Sequence, residues 1–194
     1  MSMLPQIEAI CKKSYYQLTR IRQLRPYLTK KATESIIHSF VTSTLDYSNS
    51  ILYNIPKYQI KKLQLIQNSA ARIITYKRKY DHITPVLKSL HWLPIQERIK
   101  FKIALMTYKS IHNNAPQHLR SLITPYTPSR NLRSINKNLL VEPKIKKSYG
   151  SRSFKYAAST IWNDLPDDMK ESDTVDKFKK LLKSFLFRSA FDRD

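Results

Sequence analysis

Lys77, Arg78 and Lys79 stand in a row between Tyr76 and Tyr80. Ammonium and guanidinium groups neutralise phosphates and phenol rings stack on unpaired bases, so this run could grip a nucleic-acid backbone beside its bases. The same residues also suit a solvated helix C-terminus, where cations complement the helix dipole, and the sequence leaves both readings open. Two further basic sets offer the same phosphate chemistry. Lys12, Lys13, Arg20, Arg22 and Arg25 fall on the first apolar-periodic segment, while Arg130, Arg133, Lys137, Lys144, Lys146 and Lys147 fall where no helical period exists.

Other chemistry finds little footing. A lone Cys11 and five scattered His residues give no zinc-site spacing, so no metal site and no cofactor are expected. One glycine in the chain excludes a phosphate-cradling or dinucleotide loop, and no His-Glu-x-x-His or Gly-x-Ser-x-Gly pattern occurs. Cys11 has no paired motif that would make it a nucleophile. The one adjacent acidic pair, Asp167-Asp168, follows Leu165-Pro166, where acids decorate a loop or a helix start. His91 beside Trp92 reads as a capping or core contact, and His82 as part of the start of a short helix.

The charge balance points the same way as the basic clusters. The net charge is +21 over 194 residues, and residues 1–150 carry 26 Lys/Arg against 6 Asp/Glu while residues 151–194 carry 9 against 8. A field of that size favours a polyanion as partner, here RNA or DNA; a generally solvated basic surface is the plainer alternative. No stretch approaches the roughly 18 to 20 apolar residues that span a bilayer, and the start MSMLPQIEAI lacks the regions of a signal peptide. The expectation is an intracellular protein of nucleus or cytoplasm with no membrane partner and no small-molecule substrate.

These clusters need helices to position them, and 41% hydrophobic content is enough to build a core. Ile7, Ile10, Leu18, Ile21 and Leu24 predict a helix over Pro5 to Leu24, ended by Pro26. Thr29 caps a second, with Ala32, Ile36, Ile37, Phe40, Val41, Thr44 and Leu45 as its buried stripe. Asp46 to Asn54 is either a continuation or a turn. Pro56 starts a third helix reaching toward Tyr76, with Leu63, Ile66, Ala70, Ile73 and Ile74 inward. Thr84 caps a short helix over Pro85 to Leu90. Leu93-Pro94 opens a long one bearing Ile95, Ile99, Ile103, Met106 and Ile111, and a short one follows from Pro116 to Ile123. Pro125 to Lys147 is polar and aperiodic, with a short strand at Leu139 to Val141. Gly150 marks a turn that needs positive φ or close backbone approach. Phe154, Ala157, Ala158, Ile161 and Trp162 then share one helical face, and Thr174 caps a last helix with Val175, Phe178, Leu181, Leu182, Phe185 and Leu186 inward. The fold class expected is mainly α: a multi-helix, bundle-like basic domain over 1–124, an extended basic segment over 125–150, and a small C-terminal helical part over 151–194.

Certain stretches carry a resemblance. They are Leu45-Asp46-Tyr47-Ser48-Asn49-Ser50-Ile51-Leu52-Tyr53; Leu63-Gln64-Leu65-Ile66-Gln67-Asn68-Ser69-Ala70-Ala71-Arg72; and Tyr80-Asp81-His82-Ile83-Thr84-Pro85 with His91-Trp92-Leu93-Pro94. Late in the chain come Tyr149-Gly150-Ser151-Arg152-Ser153-Phe154 and Ile161-Trp162-Asn163-Asp164-Leu165-Pro166. From about Cys11 to about Phe187 the chain resembles the block that follows the polymerase palm in reverse transcriptases of non-LTR retrotransposons of the CR1, L2 and jockey-like kind. Ser48 stands where that pattern has Cys, and Asn54 where it has Gly. The resemblance places Lys12, Lys13, Arg20, Arg22 and Arg25 in a thumb, the part of a polymerase that grips template and product. It also implies that the chain begins after the palm, whose carboxylates hold two divalent metals during nucleotide addition. The expected protein is therefore a non-catalytic fragment that binds RNA or DNA non-specifically, with a helical protein-interaction module as the alternative and the oligomeric state left open.

Overall fold

The computed structural model describes residues 3–128, 137–147 and 149–192. It is mainly α, as the periodicity predicts, and the chain forms two compact units: Met1–Asn49 with Ile55–Arg98 and Ser189–Asp194, and Ser50–Asn54 with Ile99–Arg188. No helix among the described residues is long and apolar enough to cross a membrane.

The first unit opens with α1 (Leu4–Leu24), which carries Pro5 in its first turn, where the missing N–H is no loss. Its buried stripe is narrower than expected: Ile7, Leu18 and Ile21 are inside, whereas Leu24 is 53% exposed. Pro26 does not stop the chain abruptly but sits in a 3-10 turn, Arg25–Tyr27. Thr29 then caps α2 (Lys30–Ile37) by accepting a hydrogen bond from Ala32 N–H at 3.2 Å. A π-helical segment, His38–Thr42, joins α2 to α3 (Ser43–Asp46), and Ser43 N–H reaches back five residues to His38 O. That wider turn rotates the following side chains. Val41 is buried and Phe40, expected inside on a uniform 3.6-residue period, is 52% exposed.

Asp46 ends the helix and ties it to Arg98, whose Nε donates to Asp46 Oδ1 at 2.9 Å and whose Nη2 meets Oδ2. Positive φ at Ser48 (51°) and Asn54 (54°) brackets a 3-10 turn, Asn49–Leu52, so the stretch turns and does not continue α3. Pro56 is the N-cap of α4 (Lys57–Thr75), one place earlier than expected. α1 packs along α4, burying Leu63, Ile66, Ala70, Ala71 and Ile74. Thr84 is the first residue of α5 (Thr84–Ser89) and not its cap; its side chain makes no capping bond, and Pro85 occupies the second position. Two glutamines of α4 fix the Trp92-Leu93-Pro94 corner: Gln67 Nε2 donates to Leu93 O at 2.8 Å, and Gln64 Oε1 accepts from Ile95 N–H at 2.9 Å. Trp92 is buried there, with its ring 5.4 Å from the His38 ring.

α6 (Ile95–Ile111) contributes its residues from Ile99 onward to the second unit. There it joins α7 (Gln117–Arg120), α8 (Phe154–Asn163), α9 (Asp167–Lys170) and, as far as Arg188, α10 (Val175–Phe191). Tyr108, Trp162, Phe178 and Leu182 form its buried centre. Ser153 caps α8 and Thr174 caps α10, by accepting from Tyr156 N–H and Lys177 N–H. The expected strand at Leu139 to Val141 shrinks to one antiparallel bridge, Pro125 with Leu140. On the opposite edge a side chain takes the place of a partner strand: Asn163 accepts from Leu140 N–H at 2.9 Å and donates to Leu140 O at 3.0 Å.

Gly150 does not have positive φ. Its requirement is space, because a Cβ there would lie 2.8 Å from Ile145 Cγ2. Gly150→Ala should therefore cost about 1 to 2 kcal/mol, the usual effect of forced overpacking beside a stiff β-branched side chain. An unchanged urea midpoint would show that Ile145 swings aside freely.

Candidate nucleic-acid interface

The basic cluster begins where α4 ends. Tyr76 takes the left-handed conformation (φ 55°, ψ 25°), and Lys77 N–H bonds back to Arg72 O at 3.2 Å, a Schellman-type closure that usually employs glycine. One residue, Arg25, makes the strained tyrosine tenable. Arg25, only 7% exposed, donates from Nε to Ile73 O at 3.0 Å, from Nη2 to Ile74 O at 3.1 Å and from Nη1 to Leu28 O at 2.7 Å. Its guanidinium lies 4.0 Å from the Tyr76 ring centroid, and the Tyr76 hydroxyl donates to Arg25 O at 3.1 Å.

The loop beyond is organised by Arg72 and Asp81. Arg72 donates from Nε to Arg78 O at 3.1 Å and from Nη2 to Asp81 O at 3.3 Å, while Asp81 Oδ2 accepts from Arg78 N–H at 2.8 Å. The result is a cleft of about 520 Å³ lined by Arg22, Arg25, Pro26, Ser69, Arg72, Ile73, Tyr76, Lys77 and Lys79. No carboxylate lines it among the described residues.

The structure brings together Arg22, Arg25, Tyr76, Lys77 and Lys79 of the residues expected to contact nucleic acid. Within that group Arg25 alone is buried. Each of its guanidinium nitrogens already donates to a carbonyl, so it terminates α4 and supports Tyr76, and it is not placed as a free phosphate ligand. Arg78 is exposed outside the lining, and Tyr80 is 90% exposed with Lys79 Nζ 5.8 Å from its ring centroid. Lys12, Lys13 and Arg20 are exposed elsewhere on α1: Arg20 Nη1 donates to the Tyr16 hydroxyl at 2.7 Å. Lys13 borders a second cleft of about 410 Å³ with Gln6, Ala9, Ile10, Ser43, Thr44 and Tyr47. Arg130 and Arg133 lie outside the described residues. Arg72 is the lining residue that the cluster reading passes over; its signal was a cation in the last turn of α4, one turn before Tyr76.

Protein-family models, curated proteins and solved structures were all compared with this chain, and none matches it.

The remaining reactive groups have structural surroundings. Burial pushes the Cys11 thiol pKa up, with Lys62 opposing and Glu8 adding to the rise, which disfavours the nucleophilic thiolate. Asp167, at the start of α9, pairs with Lys170 Nζ at 3.2 Å. His82 is exposed, and His91 adopts φ 52° just before the Trp92 corner.

Proposed function

We propose that this chain is the thumb and post-palm region of a non-LTR retrotransposon reverse transcriptase of the CR1, L2 or jockey-like kind, acting in nucleus or cytoplasm. In this reading it binds RNA or DNA through backbone phosphates, without reading sequence and without polymerase activity of its own. One observation carries the binding. The Arg72, Ile73 and Ile74 carbonyls at the end of α4 receive their hydrogen bonds from Lys77 N–H and from Arg25, so the Lys77 and Lys79 ammonium groups are not needed to cap them. They stand instead in a cleft with Arg22 and no lining carboxylate, an arrangement that attracts a polyanion. Asn54 lends support to the family reading, because its φ of 54° is backbone that a glycine, the residue of the resembled pattern, accepts without strain.

Replacing Lys77, Arg78 and Lys79 with Ala should weaken binding to every sequence tested. It should lower the slope of log affinity against log salt by roughly 0.7 per lost phosphate contact on a single strand, up to about 2 in all. Because Arg78 is outside the cleft, Arg78→Ala alone should move the slope less than either lysine change. A folded triple variant with unchanged affinity and slope would remove this cluster from the interface. The rival is a helical module for an acidic protein. It is favoured by Tyr47, 76% exposed at the rim of the second cleft, and by the outward Phe40. Its partner would be displaced by Phe40→Ala and Tyr47→Ala, substitutions that leave nucleic-acid binding intact.

A further inference from the structure

We infer that the cleft at the end of α4 is a pocket for one unpaired nucleotide, whose base stacks on Tyr76 while Arg22, Lys77 and Lys79 hold its phosphate. This rests on the phosphate-binding reading and adds to it a preference for unpaired over paired strands.

Size argues first. A volume of about 520 Å³ falls in the range of small-ligand sites, far too small for a duplex to enter, whereas a single splayed nucleotide fits. The lining has two chemistries to match the two halves of a nucleotide. Pro26, Ile73 and the Tyr76 ring are apolar or aromatic, and Arg22, Lys77 and Lys79 are cationic.

Tyr76 is held by both its side chain and its backbone, unlike its neighbour Tyr80. Its hydroxyl is anchored on Arg25 O, the Arg25 guanidinium covers one ring face at 4.0 Å, and its backbone is fixed by the closure of α4. The residue is still 64% exposed, so the rest of the ring remains open to a ligand. A base on that ring would complete a stack of base, phenol and guanidinium. The ring loses no rotamer freedom on binding, because it is already ordered. Tyr80, 90% exposed and in contact with Lys79, has no such support and is not the platform.

The chemistry recognised is an unpaired nucleoside phosphate, and it has two sources: a nucleotide within or at the end of a strand, or a free mononucleotide. The test measures affinity of the full chain for a single-stranded oligonucleotide, a blunt duplex of equal phosphate count, inorganic polyphosphate and adenosine 5′-monophosphate. Tyr76→Asn removes the ring while keeping a residue at ease in the left-handed region, and Tyr76→Phe keeps the ring. The single strand should bind about tenfold more tightly than the duplex or polyphosphate, within the range that one aromatic stack supplies. Tyr76→Asn should erase that ratio with the salt slope unchanged, and Tyr76→Phe should keep it. Competition by the mononucleotide at concentrations near those of the strand would also support the pocket and assign it to a free nucleotide; weak competition supports it with the strand as ligand. Equal binding of all polyanions, or a ratio that survives Tyr76→Asn, overturns the pocket. In that case a slope that still falls in Lys77→Ala and Lys79→Ala leaves phosphate binding standing, and a slope that does not fall removes both.

Discussion

Trp162→Ala is expected to destabilise the second unit by about 3 to 5 kcal/mol, enough to unfold a marginal domain. Trp162 is 1% exposed, and its ring lies 6.1 Å from Phe178 and 6.5 Å from Tyr108, which themselves stack at 4.3 Å. Its indole N–H also donates to Asn138 O at 2.8 Å, so truncation leaves both a cavity and an unpaired carbonyl. Trp162→Phe, which refills part of the cavity and loses only the hydrogen bond, should cost less than half as much. Because the chain has two tryptophans, Trp92 remains as the fluorescent reporter of the first unit in either variant. A urea midpoint that barely moves for Trp162→Ala would contradict its place in the core. The same cluster makes a pH prediction. Burial raises the Tyr108 pKa above its ordinary 10.0, with Asp173 adding to the rise and Lys177 opposing it. The phenol form is therefore favoured by folding, and this stabilisation is complete below the ordinary value and lost as pH climbs from there through the folded pKa.

What could be read in the sequence was mostly what one helix dictates for itself. Thr29 and Thr174 cap because a β-region hydroxyl ahead of an apolar-periodic run has an orphan N–H to satisfy. Trp162 falls inward because Ala158, Ile161 and Phe154 set the face. The misreadings arise where the period or the partner is not local. Phe40 points out because a π-turn breaks a uniform period, and no residue type announces that turn. Leu139 to Val141 keeps only the Pro125–Leu140 bridge on one edge, and on the other Asn163, a helical side chain more than twenty positions away, satisfies both the N–H and the C=O of Leu140.

The candidate site divides along the same line. That Lys77 and Lys79 are cations near tyrosines is visible in the string of residues. That Arg72 fastens the loop carrying them follows only once α4 ends at Thr75 and the chain doubles back, bringing Arg78 O and Asp81 O within reach of one guanidinium. Charge alone likewise gave no way to separate Arg22, exposed at the cleft, from Arg25, which lies three residues on, borders the same cleft and is buried.

Arg25 separates the two assignments most sharply, because a phosphate ligand and a helix terminator fail differently. Arg25→Ala removes the donors for the Ile73, Ile74 and Leu28 carbonyls and the cation beneath the Tyr76 ring. Hydrogen bonds to charged groups are each worth about 1.5 to 3 kcal/mol, and part of that is returned when the freed carbonyls meet water, so a loss of about 3 to 4 kcal/mol is expected. Arg25→Lys should recover little of it, since one ammonium cannot span three carbonyls held by a planar fork. The end of α4 should then fray, and amide exchange should quicken from Ile73 to Asp81 before it does elsewhere in the first unit. A surface phosphate ligand would behave in the opposite way: the melting temperature would hold and the salt slope would drop by roughly 0.7 for the one lost contact on a single strand. The structure calls for the first pattern. Arg25→Ala with unchanged stability and a reduced slope would return Arg25 to the phosphate-binding set and leave the left-handed Tyr76 without its support.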